Sequence, residues 1–331
     1  MPRREQLPAT ASSVIGITRL NRRRVLRRSA MGLALPAALA ATGWSATPAG
    51  AQSAATPATT GAADSGYVTI GDLELYYARY GGGAATPLLL LHGGLLTSDM
   101  AFSAMIPQLA RARPVITVDL EGHGHTALVD RPLSFDQMAD DVATLLGELS
   151  IDQVDVFGYS VGGAVAWQLV FRHPGLVRKL IVASAPFASE GWAPEIFGAM
   201  ASLGPDAAAA MEATPLYTAY AAVAPNPGDW PELVTKVGEL NTGQPYDWSE
   251  QIAAITVPTL YIVGDADSVL PEHTVELFRL LGGGVVGDLA PLPTAQLAVL
   301  PGTGHSAVLL RVDVLVPLII DFLDASIPED Q

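Results

Sequence analysis

The chain has 331 residues and a formal net charge of −15, half of its residues are apolar, and it contains no cysteine. The absence of cysteine excludes disulfides, thiolate nucleophiles and cysteine-based metal sites. Residues 1–51 hold eight of the 18 basic residues and one of the 33 acidic ones. The remaining chain is therefore strongly acidic and repels phosphate backbones, so we expect no nucleic-acid partner.

Residues 1–51 carry the three parts of a secretory signal in the usual order. Paired arginines lie in residues 21–27, an apolar Ala-rich run follows at 30–43, and Ala49-Gly50-Ala51 has the pattern of a cleavage site. The arginine pattern resembles a twin-arginine signal, which exports folded proteins. The apolar run is too short to cross a bilayer of ~30 Å. We therefore predict a secreted or extracytoplasmic protein with no stable membrane span after processing; the alternative is a basic tail before an uncleaved anchor.

Residues 52–66 are rich in Ala, Thr, Ser and Pro and predict a disordered linker. Beyond them, short apolar runs alternate with helical patterns. Strands are predicted at 67–71, 73–80, 87–92, 114–119, 154–159, 178–184, 258–263 and 296–301, and helices at 99–111, 134–150, 161–173, 271–281 and 313–326. The inner strands are continuously apolar, as in a parallel sheet covered on both faces. The alternation predicts an α/β fold with a mostly parallel eight-stranded sheet flanked by helices.

One segment interrupts this alternation. Residues 187–256 separate two predicted strands by far more residues than a crossover needs. We interpret this inserted segment as a helical lid between a first core part (67–186) and a second (257–331), although a purely structural excursion is the alternative. Its large side chains predict either a lid core or an apolar acyl or aromatic pocket; they are Trp192, Phe197, Met200, Met211, Tyr217, Tyr220, Trp230 and Trp248.

A serine motif follows the predicted strand at 154–159. Gly158-Tyr159-Ser160-Val161-Gly162 is G-x-S-x-G with a strand before it and a helix after it. A serine on such a tight turn needs neighbours without side chains, and the helix start directs N–H groups toward the place where an oxyanion forms. The motif predicts Ser160 as a nucleophile, whereas a structural Gly/Ser turn is the alternative.

A nucleophilic serine needs a base and an acid. His305 lies in a loop just after the last predicted strand, and Asp265 and Asp267 follow the strand at 258–263. The chain order Ser, Asp, His is the order of triads built on this kind of sheet. His305 is the candidate base, and one of the two aspartates orients its ring.

These motifs resemble those of the α/β-hydrolase family over most of residues 67–326. In that family the acid precedes a proline in the pattern G-x-x-D-x-x-x-P, which runs here from Gly264 to Pro271. The resemblance therefore implies that Asp267 is the acid and that Asp265 satisfies loop N–H groups. It also implies that His305 is the base of a serine hydrolase.

The segment His92-Gly93-Gly94 is similar to the HG-x loop of the same family. The resemblance implies that the backbone N–H groups of Gly94 and Val161 form the oxyanion hole. It makes His92 a residue that braces the loop.

Residues 119–126 resemble the D-x-x-G-x-G-x-S turn of the family. This favours a turn at His123 and His125 over a metal site, since two histidines without a third ligand are a weak metal pattern. We expect neither metal nor organic cofactor. His173 and His273 are predicted to lie at the surface.

The sequence thus predicts an exported serine esterase that acts on a small or lipophilic small-molecule ester, lactones included. The same motifs also occur in cofactor-free haloperoxidase-like perhydrolases, C–C hydrolases, lyases and aminopeptidases, and these alternatives remain open. An alternative of another class is a non-catalytic ligand-binding protein on the same fold. The natural substrate and the oligomeric state are not determined by these residues.

Overall fold

The computed structural model describes residues 62–327. The predicted signal at 1–51 and most of the predicted linker lie outside the described residues, so both stay predictions. Within the described part, no helix is long and apolar enough to cross a membrane.

Eight strands form one sheet in the order β1-β2-β4-β3-β5-β6-β7-β8. Their bounds are β1 Asp64–Ile70, β2 Leu73–Tyr80, β3 Leu88–Leu91, β4 Val115–Val118, β5 Val154–Tyr159, β6 Val177–Ala183, β7 Thr259–Ala266 and β8 Ala295–Gly304. The pairs β1/β2 and β2/β4 are antiparallel, and the remaining neighbours are parallel. The mostly parallel eight-stranded sheet predicted from the sequence is confirmed.

Helices cover both faces of this sheet. Those of the core are α1 Ser98–Phe102, α2 Ile106–Leu109, α3 Phe135–Glu148, α4 Val161–Arg172, α10 Pro271–Leu280 and α11 Val312–Asp324. Those of the inserted segment, between β6 and β7, are α5 Pro194–Ala201, α6 Pro205–Met211, α7 Pro215–Val223, α8 Trp230–Thr242 and α9 Ser249–Ala253. Short 3-10 helices lie at 174–176, 189–191, 227–229 and 305–310.

Two local predictions differ from the structure. The first strand begins at Asp64, three residues before its predicted start, because its backbone pairs with β2 as far as Arg79. The helix predicted at 99–111 is two short helices, α1 and α2. Pro107 stands in the first turn of α2, where its missing N–H is tolerated, whereas inside one continuous helix it would remove a hydrogen bond.

The core is divided by the sheet into two layers. Alternate residues of β5 face opposite layers, with Val154 and Val156 in one and Phe157 and Tyr159 in the other. The first layer contains α3, α4 and most of the inserted segment, and the second contains α1, α2 and α11. Because β5 is covered on both faces, the turn at its carboxyl end is fixed from both sides.

His273 corrects a sequence prediction, because it is buried rather than at the surface. Its ring stacks on Phe187 with centroids 4.0 Å apart, and its Nε2 accepts a hydrogen bond from the Phe187 N–H at 3.1 Å. Burial lowers the pKa of His273 to about 4, although the charge of Asp247 opposes this. The first turn of α10 therefore holds the start of the inserted segment. His173 is partly exposed, and its ring bonds to Asp140 at 2.8 Å.

We predict that His273 makes the fold sensitive to acid. Between pH 6.5, where a free histidine takes up its proton, and about 4, the unfolded chain binds a proton on this ring and the folded chain does not. The free energy of unfolding therefore falls as the pH is lowered through this window. His273→Gln keeps an acceptor for the Phe187 N–H but has no group that titrates in this window. Urea unfolding should therefore show that the free energy of unfolding falls less between pH 7 and pH 4.5 in the variant than in the native protein. An equal loss in both proteins would contradict the prediction.

Candidate active site

Ser160 lies on the turn between β5 and α4 in a strained backbone conformation. Its φ is +53° and its ψ is −117°, a region that residues with a side chain rarely adopt. A β-carbon at Gly158 would lie 2.3 Å from the carbonyl oxygen of Gly162, and one at Gly162 would lie 2.2 Å from the carbonyl oxygen of Leu91. Both glycines are therefore required for close passage of the backbone.

His305 and Asp267 meet Ser160 at the carboxyl edge of the sheet. His305 follows β8 and Asp267 follows β7. The ring of His305 lies between the other two, with Nε2 3.1 Å from Ser160 Oγ and Nδ1 2.9 Å from Asp267 Oδ1. The carboxylate can only accept, so the ring donates from Nδ1 and its Nε2 is free to accept from the serine hydroxyl. The structure thus brings together the three side chains singled out in the sequence.

Asp267 is buried and surrounded by donors. The Ser184 hydroxyl donates to Oδ2 at 2.6 Å and the Gly264 N–H at 3.1 Å, while the Val269 N–H donates to Oδ1 at 3.2 Å. Burial alone raises the pKa of this carboxyl, but the hydrogen bond and charge of His305, and then the Ser184 hydroxyl, hold the pKa below its usual range. Asp267 is therefore an anion that can orient the His305 ring.

Asp265 has a different environment. It is exposed, and its carboxylate accepts a hydrogen bond from the Thr303 N–H at 3.0 Å. The N–H groups of Gly302 and Thr303 lower its pKa. The structure brings Asp267 and not Asp265 to His305.

The two predicted oxyanion donors lie beside each other. A β-carbon at Gly94 would lie 3.1 Å from Val161 Cγ2, so the loop after β3 packs against the start of α4. Neither the Gly94 nor the Val161 N–H donates a hydrogen bond to another group within residues 62–327. Leu95 has a φ of +60°, which turns the loop sharply after Gly94. Both amides are thus unpaired, next to Ser160.

Comparisons with known proteins agree with this arrangement. A family model described as the α/β hydrolase fold matches residues 86–201. RutD of Azorhizobium caulinodans is 26% identical over 270 residues, covering 77% of this chain and 97% of its own. The enol-lactonase of Burkholderia xenovorans LB400 has a TM-score of 0.61 at 21% identity, covering 78% of this chain and 100% of its own, a likeness that shows the fold.

The chain belongs to the α/β-hydrolase fold family. A stretch of 103 residues is also 35% identical to a 2-hydroxymuconate semialdehyde hydrolase of Pseudomonas sp. strain CF600. That match covers 30% of this chain and 36% of the relative. The family and fold predicted from the motifs are confirmed.

Within this α/β-hydrolase, His92 braces the loop that carries Gly94. Its Nε2 accepts from the Leu120 N–H at 3.0 Å, and its Nδ1 donates to the Gly93 carbonyl at 2.8 Å. Burial lowers its pKa, so the ring is neutral and can make both bonds. His92 therefore ties the loop after β3 to the loop after β4.

His123 and His125 have separate neighbours. His123 is buried with its ring centroid 5.1 Å from that of His92, and burial lowers its pKa to about 3. His125 bonds through Nδ1 to Asp119 at 2.8 Å. Across residues 62–327, no group of three His, Asp or Glu side chains is placed to hold a metal ion. The segment is a turn, as its resemblance to the family motif implied.

A cavity of about 250 Å³ opens onto Ser160 and His305. The inserted segment covers it with mostly apolar side chains, namely Trp192, Ile196, Met200, Leu203, Met211, Pro215, Leu216 and Val237, and with one amide, Asn241. A larger cavity of about 670 Å³ lies beside it, meets it at Met100 and Pro215, and contains none of the three side chains. Ser160 and His305 thus line the smaller cavity.

The aromatic and methionine side chains of the inserted segment have two different uses. Trp192, Met200 and Met211 line the cavity, and the Trp192 ring lies 5.6 Å from the His305 ring. Trp230 is buried against Tyr220, with centroids 5.1 Å apart, and belongs to the core of the segment. Some of these large side chains therefore line the pocket, as one interpretation of the sequence had it, and others form the core of the inserted segment, as the alternative had it.

Ser184 is a residue of the site that the sequence motifs did not predict. It follows β6 directly with a φ of +55°, is fully buried, and donates its hydroxyl hydrogen to Asp267. A serine or other non-glycine residue at positive φ is uncommon, and such strain is concentrated at functional sites. No local pattern marks Ser184, because its partner is 83 residues away along the chain.

We predict that Ser184 stabilises the charged form of Asp267 at a cost in backbone strain. Ser184→Ala loses the hydrogen bond and keeps the strain, so it should lower the free energy of unfolding by about 2 kcal/mol. Ser184→Gly loses the same bond but relaxes the positive φ. Its free energy of unfolding should therefore be about 1 kcal/mol higher than that of the alanine variant. Urea unfolding of the pair measures both values. A glycine variant less stable than the alanine variant would show that φ is not strained.

Proposed function

We propose that this protein is a serine hydrolase that cleaves carboxylic esters, lactones included, through an acyl-enzyme. The observation that carries the proposal is the position of His305 between Ser160 Oγ, at 3.1 Å, and Asp267 Oδ1, at 2.9 Å. A neutral imidazole held in this way can accept the serine proton as the hydroxyl attacks a carbonyl carbon.

In the first half of the proposed reaction, Ser160 Oγ bonds to the ester carbonyl carbon while its proton moves to His305 Nε2. The carbonyl oxygen becomes an oxyanion and accepts hydrogen bonds from the Gly94 and Val161 N–H groups. Within the described part of the chain these donors make no other hydrogen bond, so none there has to break when substrate binds. The bond to the alcohol oxygen then breaks, and His305 gives its proton to the departing alcohol.

In the second half, a water molecule attacks the acyl carbon and loses a proton to His305. The bond to Ser160 Oγ breaks, the serine recovers its proton, and the carboxylic acid leaves. Asp267 faces the imidazolium in both halves, and because it is buried and anionic it stabilises that charge strongly.

The cavity supports a small, apolar substrate. Its volume of about 250 Å³ is at the low end for ligand sites, and apolar side chains of the inserted segment form most of its cover. Burial of an acyl chain against them is favourable by about 25 cal/mol for each Å² of apolar surface removed from water.

Peptide hydrolysis from a free N-terminus is less well supported. An aminopeptidase needs acidic side chains facing the substrate amine. Glu190, Glu195 and Glu212 are exposed, and none of them lines the cavity. Among the described residues, no carboxylate therefore lines the cavity to pair with an ammonium group near Ser160.

We also propose that the protein is exported, on the strength of the signal pattern in residues 1–51 alone. Determining the N-terminal residue of the protein recovered outside the cytoplasm tests this directly. A terminus just after Ala51 supports the proposal, and an intact Met1 terminus contradicts it.

We predict that Ser160→Ala abolishes turnover of p-nitrophenyl esters from acetate to palmitate, with kcat lower by at least about 10³-fold. The Ser160 φ is strained, and alanine keeps the same steric demands, so the melting temperature should change little. An organophosphonate should label the native protein at Ser160 and leave the variant unmodified, as read by mass spectrometry. A folded native protein that hydrolyses none of these esters and takes no label would be a binding protein instead.

We predict that the two neighbouring aspartates differ sharply in their importance. Asp267→Asn replaces the anion that faces His305 and should lower kcat by about 10³- to 10⁴-fold. Asp265→Asn changes a surface loop contact and should lower kcat by less than about threefold. Steady-state kinetics of the two isosteric variants on one ester gives both kcat values. A larger fall in kcat for Asp265→Asn than for Asp267→Asn would mean that Asp265 is the acid.

A further inference from the structure

Asn241 is unlike its neighbours in the active-site cavity. Among the side chains that the inserted segment places on the cavity wall, it is the single amide in an otherwise apolar set. It lies in the last turn of α8 and is 5% exposed. A polar side chain in such a setting is unfavourable unless its hydrogen-bonding groups have partners.

Only one end of the Asn241 amide has a partner in the protein. Its Nδ2 donates to the Val237 carbonyl at 2.8 Å. Because a carbonyl can only accept, this bond fixes the amide nitrogen toward the helix and the oxygen away from it. Asn241 Oδ1 accepts no hydrogen bond from any group of the described chain. The oxygen is therefore an acceptor that the cavity must satisfy.

The place of Asn241 relative to the reacting carbonyl follows from Val237. A β-carbon at Gly94 would lie 3.1 Å from Val237 Cγ1, so Val237 packs on the loop that carries an oxyanion donor. Asn241 stands one helical turn further along α8, which is about 6 Å. His305 must reach the departing alcohol oxygen, so the wall beside the oxyanion donors is left for the acyl part.

We propose that Asn241 Oδ1 accepts a hydrogen bond from an N–H or O–H group in the acyl part of the substrate, two or three bonds from the scissile carbonyl. The natural substrate class is then an acylamino or hydroxy ester or lactone, and not a plain alkyl ester. This inference rests on the proposed ester hydrolysis and selects among its substrates. An enzyme built to bond a donor rejects an analogue without one, because its own acceptor is left unpaired.

The test uses two p-nitrophenyl esters of the same shape. In the N-acetylglycine ester an N–H lies two bonds from the scissile carbonyl, and in the 4-oxopentanoic ester a CH₂ replaces it. The ratio of their kcat/KM values is measured for the native enzyme and for Asn241→Leu. Dividing the two ratios removes the difference in chemical reactivity between the esters. The native enzyme should favour the donor ester about tenfold more than the variant does.

Two further variants separate recognition from structure. Asn241→Ala removes Oδ1 without adding bulk, so it should show the same loss of preference and serves where the leucine variant is unstable. Met200→Leu alters the shape of the same cavity without changing its polarity, so it should change both kcat/KM values by a similar factor.

The outcomes are distinct. A ratio that is the same in the native enzyme and both Asn241 variants overturns the inference, and so does an equal fall on both esters, which would mark Asn241 as structural. Failure of the native enzyme to hydrolyse either ester in a Ser160-dependent way overturns the proposed function itself.

Discussion

The close passage of backbone around Ser160 is the constraint on which the rest of the site depends. Gly158 and Gly162 leave no room for a β-carbon, and the serine between them has a φ of +53°. Such a conformation persists only where the surroundings hold it. Here β5 is buried on both faces, and the Ser160 N–H bonds to the carbonyl of Ala183 at 2.9 Å. The parallel sheet thus supplies the energy that keeps the turn tight.

The same sheet brings the partners of Ser160 to one edge. Parallel strands end on the same side, so the loops after β3, β5, β6, β7 and β8 meet there although they are far apart in sequence. Asp267 shows the consequence most clearly, because its donors come from three different places at this edge: Ser184 after β6, Gly264 near the end of β7, and His305 after β8. Burial alone favours a neutral carboxyl, and these donors reverse that preference.

The core and the inserted segment have separate tasks in this picture. The core carries the groups that we propose react, all of them in turns or loops that follow strands. The inserted segment provides the cavity wall, and its polar exception, Asn241, is a feature of the wall and not of the reacting groups. Substrate preference can therefore change through the inserted segment while the geometry at Ser160 stays the same. His273 links the two parts by stacking on Phe187 at the boundary.

What the sequence determined was the set of features encoded within a few neighbouring residues. The G-x-S-x-G turn at Ser160, the proline pattern that favoured Asp267, and the apolar runs of the inner strands all depend on local sterics and periodicity. The fold class followed from their order, and the structure places Ser160, Asp267 and His305 together. The burial of His273, the donor role of Ser184 and the unpaired oxygen of Asn241 were decided by the tertiary structure alone. Each of these depends on what packs against the residue: Phe187 and Asp267 are 86 and 83 residues from His273 and Ser184. No local pattern marks these two contacts, because they exist only once the sheet has formed.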